Sequence, residues 1–283
     1  MNELEFFEDI KTYKFQANRS LGQNFLIKCD VAQVICSQLS LEDNDNVLEI
    51  GSGLGSLSYY LVKNQNVNIT LIDVDERMLV KLTKDFGGLS NVTVKRQNVL
   101  TANLSSYTKI IGNLPYYITS GIIEHILLGA KNAKTIVLMT QKEVLAKLMP
   151  NTKDVSPLSL FLNYVASIEP SIIVGRNNFV PVPHVDSAVF KIIPNENIKN
   201  ANNDYLYKLM CKIFLHRRKT ILNCLASLLD DKALATLILK ELKTDISLRP
   251  EQLGIEFYIA LSNKLKSFDF VSKPKQRGTR YVR

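Results

Sequence analysis

Five short apolar runs recur between residues 47 and 139, most of them separated by stretches with helical spacing. That alternation restricts the fold more than any other feature of the chain. Val47-Leu48-Glu49-Ile50 reads as a strand and Leu57 to Val62 as a helix. Ile69-Thr70-Leu71-Ile72 is a second strand, and Arg77 to Lys84 a second helix. Val92-Thr93-Val94 and Ile110-Ile111 follow as strands, Ile122 to Leu128 as a helix, and Ile136-Val137-Leu138-Met139 as a fifth strand. Strands alternating with helices imply an α/β fold, a doubly wound Rossmann-like sheet with parallel strands at its centre. Ser171 to Val174 and Ala188 to Ile193 have little helix between them and are expected to form an antiparallel edge.

Before this run, Asp30 is expected to cap a helix carrying Val31, Val34, Ile35 and Leu39 on one face. After it, from about residue 195, strand patterning stops. Pro194 to Asp204 is polar and rich in asparagine and reads as a linker. Helical spacing then takes over, as in Leu206, Leu209, Met210 and Ile213, or Leu234, Leu237 and Ile238. The expected organisation is a first domain over 1–194 and a smaller, all-helical C-terminal domain over 195–283.

Several function classes fall away on composition. No apolar run approaches the ~20 residues of a membrane span, and the N-terminus lacks the basic start and apolar middle of a signal peptide. The four cysteines, Cys29, Cys36, Cys211 and Cys224, form no CxxC pair, so core thiols in a reducing cytoplasm are expected rather than disulfides or a metal site. A net charge of +8 is compatible with a nucleic-acid partner.

The first strand ends in Glu49-Ile50-Gly51-Ser52-Gly53-Leu54-Gly55 and runs into a helix. Glycines there let the backbone turn tightly and let a ligand approach it. Asp73 follows 22 residues after Gly51 at the end of the second strand, where a carboxylate meets a ribose diol in dinucleotide-binding folds. The spacing is G-x-G-x-G, however, not the G-x-G-x-x-G that seats a pyrophosphate. Glu49 directly before it would repel phosphate and favour a cation such as an amino-acid ammonium. S-adenosylmethionine carries an ammonium and a sulfonium and no phosphate, so the acid argues for that methyl donor.

At the end of the fourth strand stands Gly112-Asn113-Leu114-Pro115-Tyr116-Tyr117. Asn113 can accept through its side-chain oxygen from an exocyclic amine. Pro115 biases Leu114 towards extended dihedrals, turning the Leu114 carbonyl outward as a second acceptor. Tyr116 offers a face for stacking on a base. Ordinary turns use the same residue types; the glycine loop sixty residues upstream is what favours the ligand site. Two acceptors on an adenine N6 amine would draw its lone pair out of the ring, and attack on a sulfonium methyl then needs alignment more than a general base. No Ser/His/Asp or Cys/His arrangement is visible: the only histidines are His125, His184 and His216.

These stations together resemble the ribosomal RNA adenine N6,N6-dimethyltransferase family, specifically its small-subunit branch, over nearly the whole chain. Ser20 to Leu26 resembles the family's N-terminal cofactor motif, Glu49 to Gly55 its glycine loop, and Asn113 to Tyr116 its NLPY catalytic motif. Phe179 to Ser187 resembles its FxPxPxVDS segment, whose phenylalanine is implied to stack on the target base opposite the tyrosine. Phe214 to Thr220 and Arg249 to Leu253 resemble C-terminal signatures of the small-subunit branch. The resemblance implies cofactor contacts at Asn24, Leu26, Gly51, Asp73, Asn98 and Asn113, which join Glu49 and Gly53 from the loop reading. Four positions depart from the pattern. Ser52 and Gly121 replace usual prolines, Asp73 is the shorter acid where glutamate is frequent, and Asn98 stands where aspartate is usual.

The reaction implied is dimethylation of two adjacent adenosines in the 3′-terminal hairpin of 16S rRNA, within an immature small subunit, by a cytoplasmic monomer. Asn113, Leu114, Tyr116 and Phe179 would be its catalytic residues, with no metal. Arg217, Arg218 and Lys219, and the basic tail from Lys273 to Arg283, would meet RNA phosphates. Alternatives are the large-subunit, antibiotic-resistance branch and an RNA-binding assembly factor with little turnover.

Overall fold

The structure, a computed structural model, describes residues 2–13, 22–150 and 152–266. Ser20, Leu21 and the basic tail therefore lie outside the described residues. The chain divides into two compact units, one of Met1–Thr152 with Val165–Lys199, the other of Lys153–Tyr164 with Asn200–Arg283.

The first unit holds α1 (Glu3–Thr12), β1 (Phe25–Leu26), α2 (Cys29–Ser37), β2 (Asn46–Ile50), α3 (Ser58–Leu61) and β3 (Asn68–Asp73). It continues through α4 (Glu76–Phe86), β4 (Val92–Arg96), β5 (Lys109–Asn113), α5 (Thr119–Gly129), β6 (Thr135–Gln141) and α6 (Lys142–Leu148). After the excursion containing α7 (Pro157–Val165) it returns as β7 (Ala166–Val174), β8 (Phe179–Val180) and β9 (Ser187–Pro194). Seven strands form one sheet in the order β4-β3-β2-β5-β6-β9-β7. The five from β2 to β6 run parallel, while β9 pairs antiparallel with both β6 and β7. The expected α/β sheet with an antiparallel edge is therefore observed.

Between β2 and β5 the strand order reverses, and Ile50 stands opposite Gly112 in the register. A Cβ on Gly112 would lie 2.8 Å from the Ile50 carbonyl oxygen, so glycine is what permits the two strand ends to approach. In open α/β sheets the crevice at the carboxyl ends beside such a reversal is where ligands bind.

Several local expectations differ. The fourth strand runs on through Asn113 instead of ending before Gly112. Asp30 does not cap its helix: α2 starts two residues earlier than such a cap would place it, Lys28 is the capping position, and Asp30 sits in the first turn, where its charge complements the helix dipole. Ala32, Ile35 and Cys36 form the buried face, and Val34 is exposed. Nothing in the sequence reading anticipated α1, whose Phe6, Phe7 and Ile10 enter the core of the first unit, with Phe6 stacked on Tyr59 at 4.7 Å.

The second unit contains α7, α8 (Asn203–Phe214), α9 (Ile221–Leu229), α10 (Lys232–Glu241) and α11 (Ile255–Leu265). In it α9 packs on α10 and α8 on α11, burying Leu209, Met210, Leu225, Leu239 and Leu261. Phe161 of α7 meets Tyr207 of α8 with ring centroids 5.2 Å apart. All four cysteines are free thiols. No helix among the described residues is long and apolar enough to cross a membrane, and no group of three or more His, Cys, Asp or Glu among them could hold a metal.

Candidate active site

A cavity of about 410 Å³ opens at the carboxyl ends of β2, β3 and β5. Its lining includes Asn24, Leu26, Glu49, Gly51, Gly53, Asp73, Asn98 and Asn113, the full set of expected cofactor residues, together with Leu114 and Tyr116. Two carboxylates, Glu49 and Asp73, line it, and no Lys, Arg or His does among the described residues.

The glycine loop is braced from the acidic side. Gly53, at φ +53°, donates its N–H to Asp73 Oδ2 at 2.9 Å, while Asp73 Oδ1 accepts from Asp75 N at 2.9 Å. A side chain at Gly53 would meet the Phe25 ring at 3.0 Å. Asp73 thus fixes the loop that forms one cavity wall, besides presenting its carboxylate there. Burial raises its pKa, countered in part by those two backbone donors. Neighbouring Asp75 caps α4 and also accepts from the Gln23 side chain at 2.9 Å, tying the N-terminal wall of the cavity to the strand end. The bonds from Arg77 hold its carboxyl down at about 2.

Glu49 is buried in the cavity floor, and its Oε2 accepts from Ser58 Oγ at 2.6 Å. Burial, aided by the charge of Asp73, pushes its pKa up to about 8 against the opposing Ser58 bond. A cationic group seated in the cavity would favour the ionised form and so be favoured by it.

On the opposite wall the side-chain nitrogen of Asn113 donates to the main-chain carbonyl of Asn24 at 3.0 Å. A carbonyl can only accept, so this bond fixes which way round the amide lies and leaves Oδ1 as the acceptor. Pro115 is extended at ψ 130°, and Tyr116 then opens a short 3-10 turn, Tyr116–Ile118. Tyr116 Oη lies 2.9 Å from Ser187 Oγ, and partial burial raises the phenol pKa. Asn98 Oδ1 accepts from Leu100 N at 3.0 Å, capping the 3-10 turn Val99–Thr101. Its amide oxygen is therefore already engaged by the backbone.

Phe179, whose ring the resemblance implies faces Tyr116 across the target base, is fully buried and is not in the cavity lining. The cause is strand pairing. Leu26 of β1 stands opposite Phe179 of β8, and alternation turns Phe179 inward to the core and Val180 outward.

Arg217, Arg218 and Lys219 lie in the second unit, exposed in the connection between α8 and α9. With Leu215 and His216 they line a separate cavity of about 220 Å³. None of the three is in an ion pair among the described residues. Gln23 and Phe25, inside the Ser20 to Leu26 motif but not singled out there, line the larger cavity, as do Val74 and Gln97, which the sequence reading missed. Position next to the recognised strand ends and motifs was the available signal for each.

Comparison with known proteins agrees with this geometry. The family model for ribosomal RNA adenine dimethylase matches residues 14–261. A protein of Streptococcus sanguinis named ribosomal RNA small subunit methyltransferase A is 32% identical over 276 residues, 91% of this chain and 95% of its own. Its namesake in Lactiplantibacillus plantarum is 34% identical over 278 residues, 92% of this chain and 94% of its own. Among solved structures, a dimethyladenosine transferase from Plasmodium falciparum superposes with a TM-score of 0.70 at 24% identity, covering 84% of this chain and 96% of that one. The 23S rRNA methyltransferase ErmE gives 0.60 at 24% identity, covering 86% and 100%; both show the same fold. A family model spanning most of the chain, and relatives a third identical along nearly all of it, make this chain a member of the ribosomal RNA adenine dimethylase family.

Proposed function

We propose that the protein uses S-adenosylmethionine to dimethylate N6 of two adjacent adenosines in the 3′-terminal hairpin of 16S rRNA, acting as a cytoplasmic monomer on an immature small subunit. The observation that carries this reading is the cavity lining: two carboxylates, no cationic side chain among the described residues, and an oriented Asn113 acceptor at the strand end. That donor set fits a ligand bearing an ammonium, a sulfonium and an adenosine, and it fits a pyrophosphate poorly. The small-subunit branch is supported by the names of the relatives, and by the Arg217-Arg218-Lys219-Thr220 and Arg249-Pro250-Glu251 segments.

In this reading Asn98 and Asp73 hold the adenosine part of the donor, and Glu49 meets its ammonium. Asn24, Leu26, Gly51 and Gly53 form the walls between. S-adenosylmethionine supplies an electrophilic methyl group on sulfur. Asn113 Oδ1 and the Leu114 carbonyl accept the two N6–H bonds of the target adenine and draw the nitrogen lone pair out of the ring. A donor bound there would give its methyl carbon to N6 and keep the S–C electrons on sulfur, and the N6 proton would pass to water, with Asn113 Oδ1 and the Leu114 carbonyl holding the amine in line. The work of the protein is alignment and charge placement. Tyr116 stacks on the base, worth ~1–3 kcal/mol against an unstacking cost of a few kcal/mol. The helical unit, through Arg217, Arg218 and Lys219, binds RNA phosphates.

Transfer of tritiated methyl groups to undermethylated small subunits, with large subunits as the control, tests the proposal. Label on 16S rRNA alone is expected. Label on 23S rRNA, or on neither, contradicts it.

A further inference from the structure

We propose that Ser187, with Thr140 beside it, is a positioning residue for methyl transfer: its hydroxyl fixes the Tyr116 ring on which the target base stacks. This deepens the function proposed above and rests on it. Tyr116 begins a 3-10 turn of three residues with no side-chain cap. A half-buried ring on so short a turn is free to swing about its first torsion, and the bond at its para oxygen, which lies on the axis of the second, holds that swing and so the place of the ring.

The restraint comes from the neighbouring strands. Ser187 is fully buried at the start of β9, opposite Gln141 of β6 and Val174 of β7. A buried hydroxyl is costly unless bonded, and Ser187 Oγ lies 2.9 Å from Tyr116 Oη. One step along the same strand pair, Thr140 of β6 is also fully buried, in register with Ala188, and its hydroxyl lies 3.1 Å from Thr119 Oγ1. Thr119 Oγ1 gives its own proton to the Pro115 carbonyl at 3.0 Å, so Thr140 is the donor to it. Two hydroxyls from adjacent strands therefore pin both ends of the Tyr116–Thr119 segment. Phe179 acts at one remove, anchoring β8 at the head of the loop that delivers Ser187.

The test measures single-turnover methyl transfer at saturating donor and RNA, donor Kd by calorimetry and Tm, on Ser187→Ala, Ser187→Thr, Tyr116→Phe and the double variant Ser187→Ala with Tyr116→Phe. Loss of one neutral hydrogen bond corresponds to a rate drop of roughly five- to tenfold. That drop is expected in Ser187→Ala and in Tyr116→Phe at unchanged donor Kd, with no further loss in the double variant and recovery in Ser187→Thr. A Ser187→Ala rate within twofold of wild type, effects that multiply in the double variant, or a rate loss explained by a raised Kd overturns the role. Should Ser187→Ala fail to fold, Tyr116→Phe decides: slowed transfer at unchanged Kd supports the role, and full rate overturns it. Absence of transfer by the wild type in the same assay overturns the function and this role with it. An active wild type beside an unimpaired Ser187→Ala overturns this role alone.

Discussion

The side-chain nitrogen of Asn113 is bonded to the carbonyl oxygen of Asn24, 89 residues away in sequence and 3.0 Å away in space. One bond thereby joins the N-terminal wall of the cavity to the end of β5 and sets the direction of the Asn113 acceptor. Asn113→Asp is nearly isosteric, yet it would place a carboxylate oxygen against a carbonyl. It is expected to lose at least a hundredfold in turnover and to weaken donor binding, because the repelled wall carries Asn24 and Leu26. Steady-state methyl transfer and calorimetry measure both effects.

Asn98 offers a gain instead of a loss. Its amide oxygen caps the turn at Leu100 N, so the other end of the side chain is an NH2, a poor match for the adenine amine of the donor. In Asn98→Asp one oxygen can keep the cap while the second accepts with charge assistance. Tighter S-adenosylmethionine binding, by several-fold for about 1 kcal/mol, is expected in calorimetry. Weaker binding would mean that the pocket is built around the amide.

Glu49 gives a pH dependence with a definite sign. Its folded pKa of about 8 exceeds the ordinary glutamate value of 4.5, so between those values the folded state holds a proton that the unfolded state has lost. Stability owed to this group is complete below the lower value and lost as pH rises through the upper one. Glu49→Gln should therefore gain Tm relative to wild type at pH 9 and not at pH 5. Donor affinity runs the other way, since a cation favours the ionised form. Wild-type affinity should rise from pH 6 to 7.5 and that of Glu49→Gln should stay flat. A flat wild-type profile would remove Glu49 from the ammonium site.

Phe179→Ala should behave as a core truncation, costing about 3–5 kcal/mol with parallel loss of every activity. Phe179→Leu, which keeps most of the volume, should retain methyl transfer and most of the melting temperature. Loss of transfer in Phe179→Leu at full stability would restore the ring to the base clamp.

The parts of this site that could be read in advance are those set by strand ends. Glu49 lies in the last two residues of an apolar run, Gly51, Asp73 and Asn113 each follow one, and a parallel sheet brings the carboxyl ends of its strands together whatever the intervening loops do. The antiparallel edge was legible for the same reason, because Ser171 to Val174 and Ala188 to Ile193 have no crossover helix between them. What escaped depends on partners distant in sequence. Phe179 is turned inward by pairing with Leu26, and nothing near Phe179 announces that pairing. Lys153–Tyr164 joins the helical unit though flanked on both sides by the sheet unit, and its apolar helix has no local mark of where it packs. The Ser187–Tyr116 and Asn24–Asn113 bonds likewise span 71 and 89 residues.

Methylation of an adenine N6 amine against the Asn113 acceptor can be read by nucleoside mass spectrometry. Undermethylated small subunits are incubated with S-adenosylmethionine and either wild type or Asn113→Ala, and the digested 16S rRNA is assayed for N6,N6-dimethyladenosine. Two adjacent dimethyladenosines are expected from the wild type and none from Asn113→Ala, whose binding to the subunit is retained. Dimethyladenosine from Asn113→Ala at the wild-type level, or a wild-type product methylated at any atom other than N6, would contradict it.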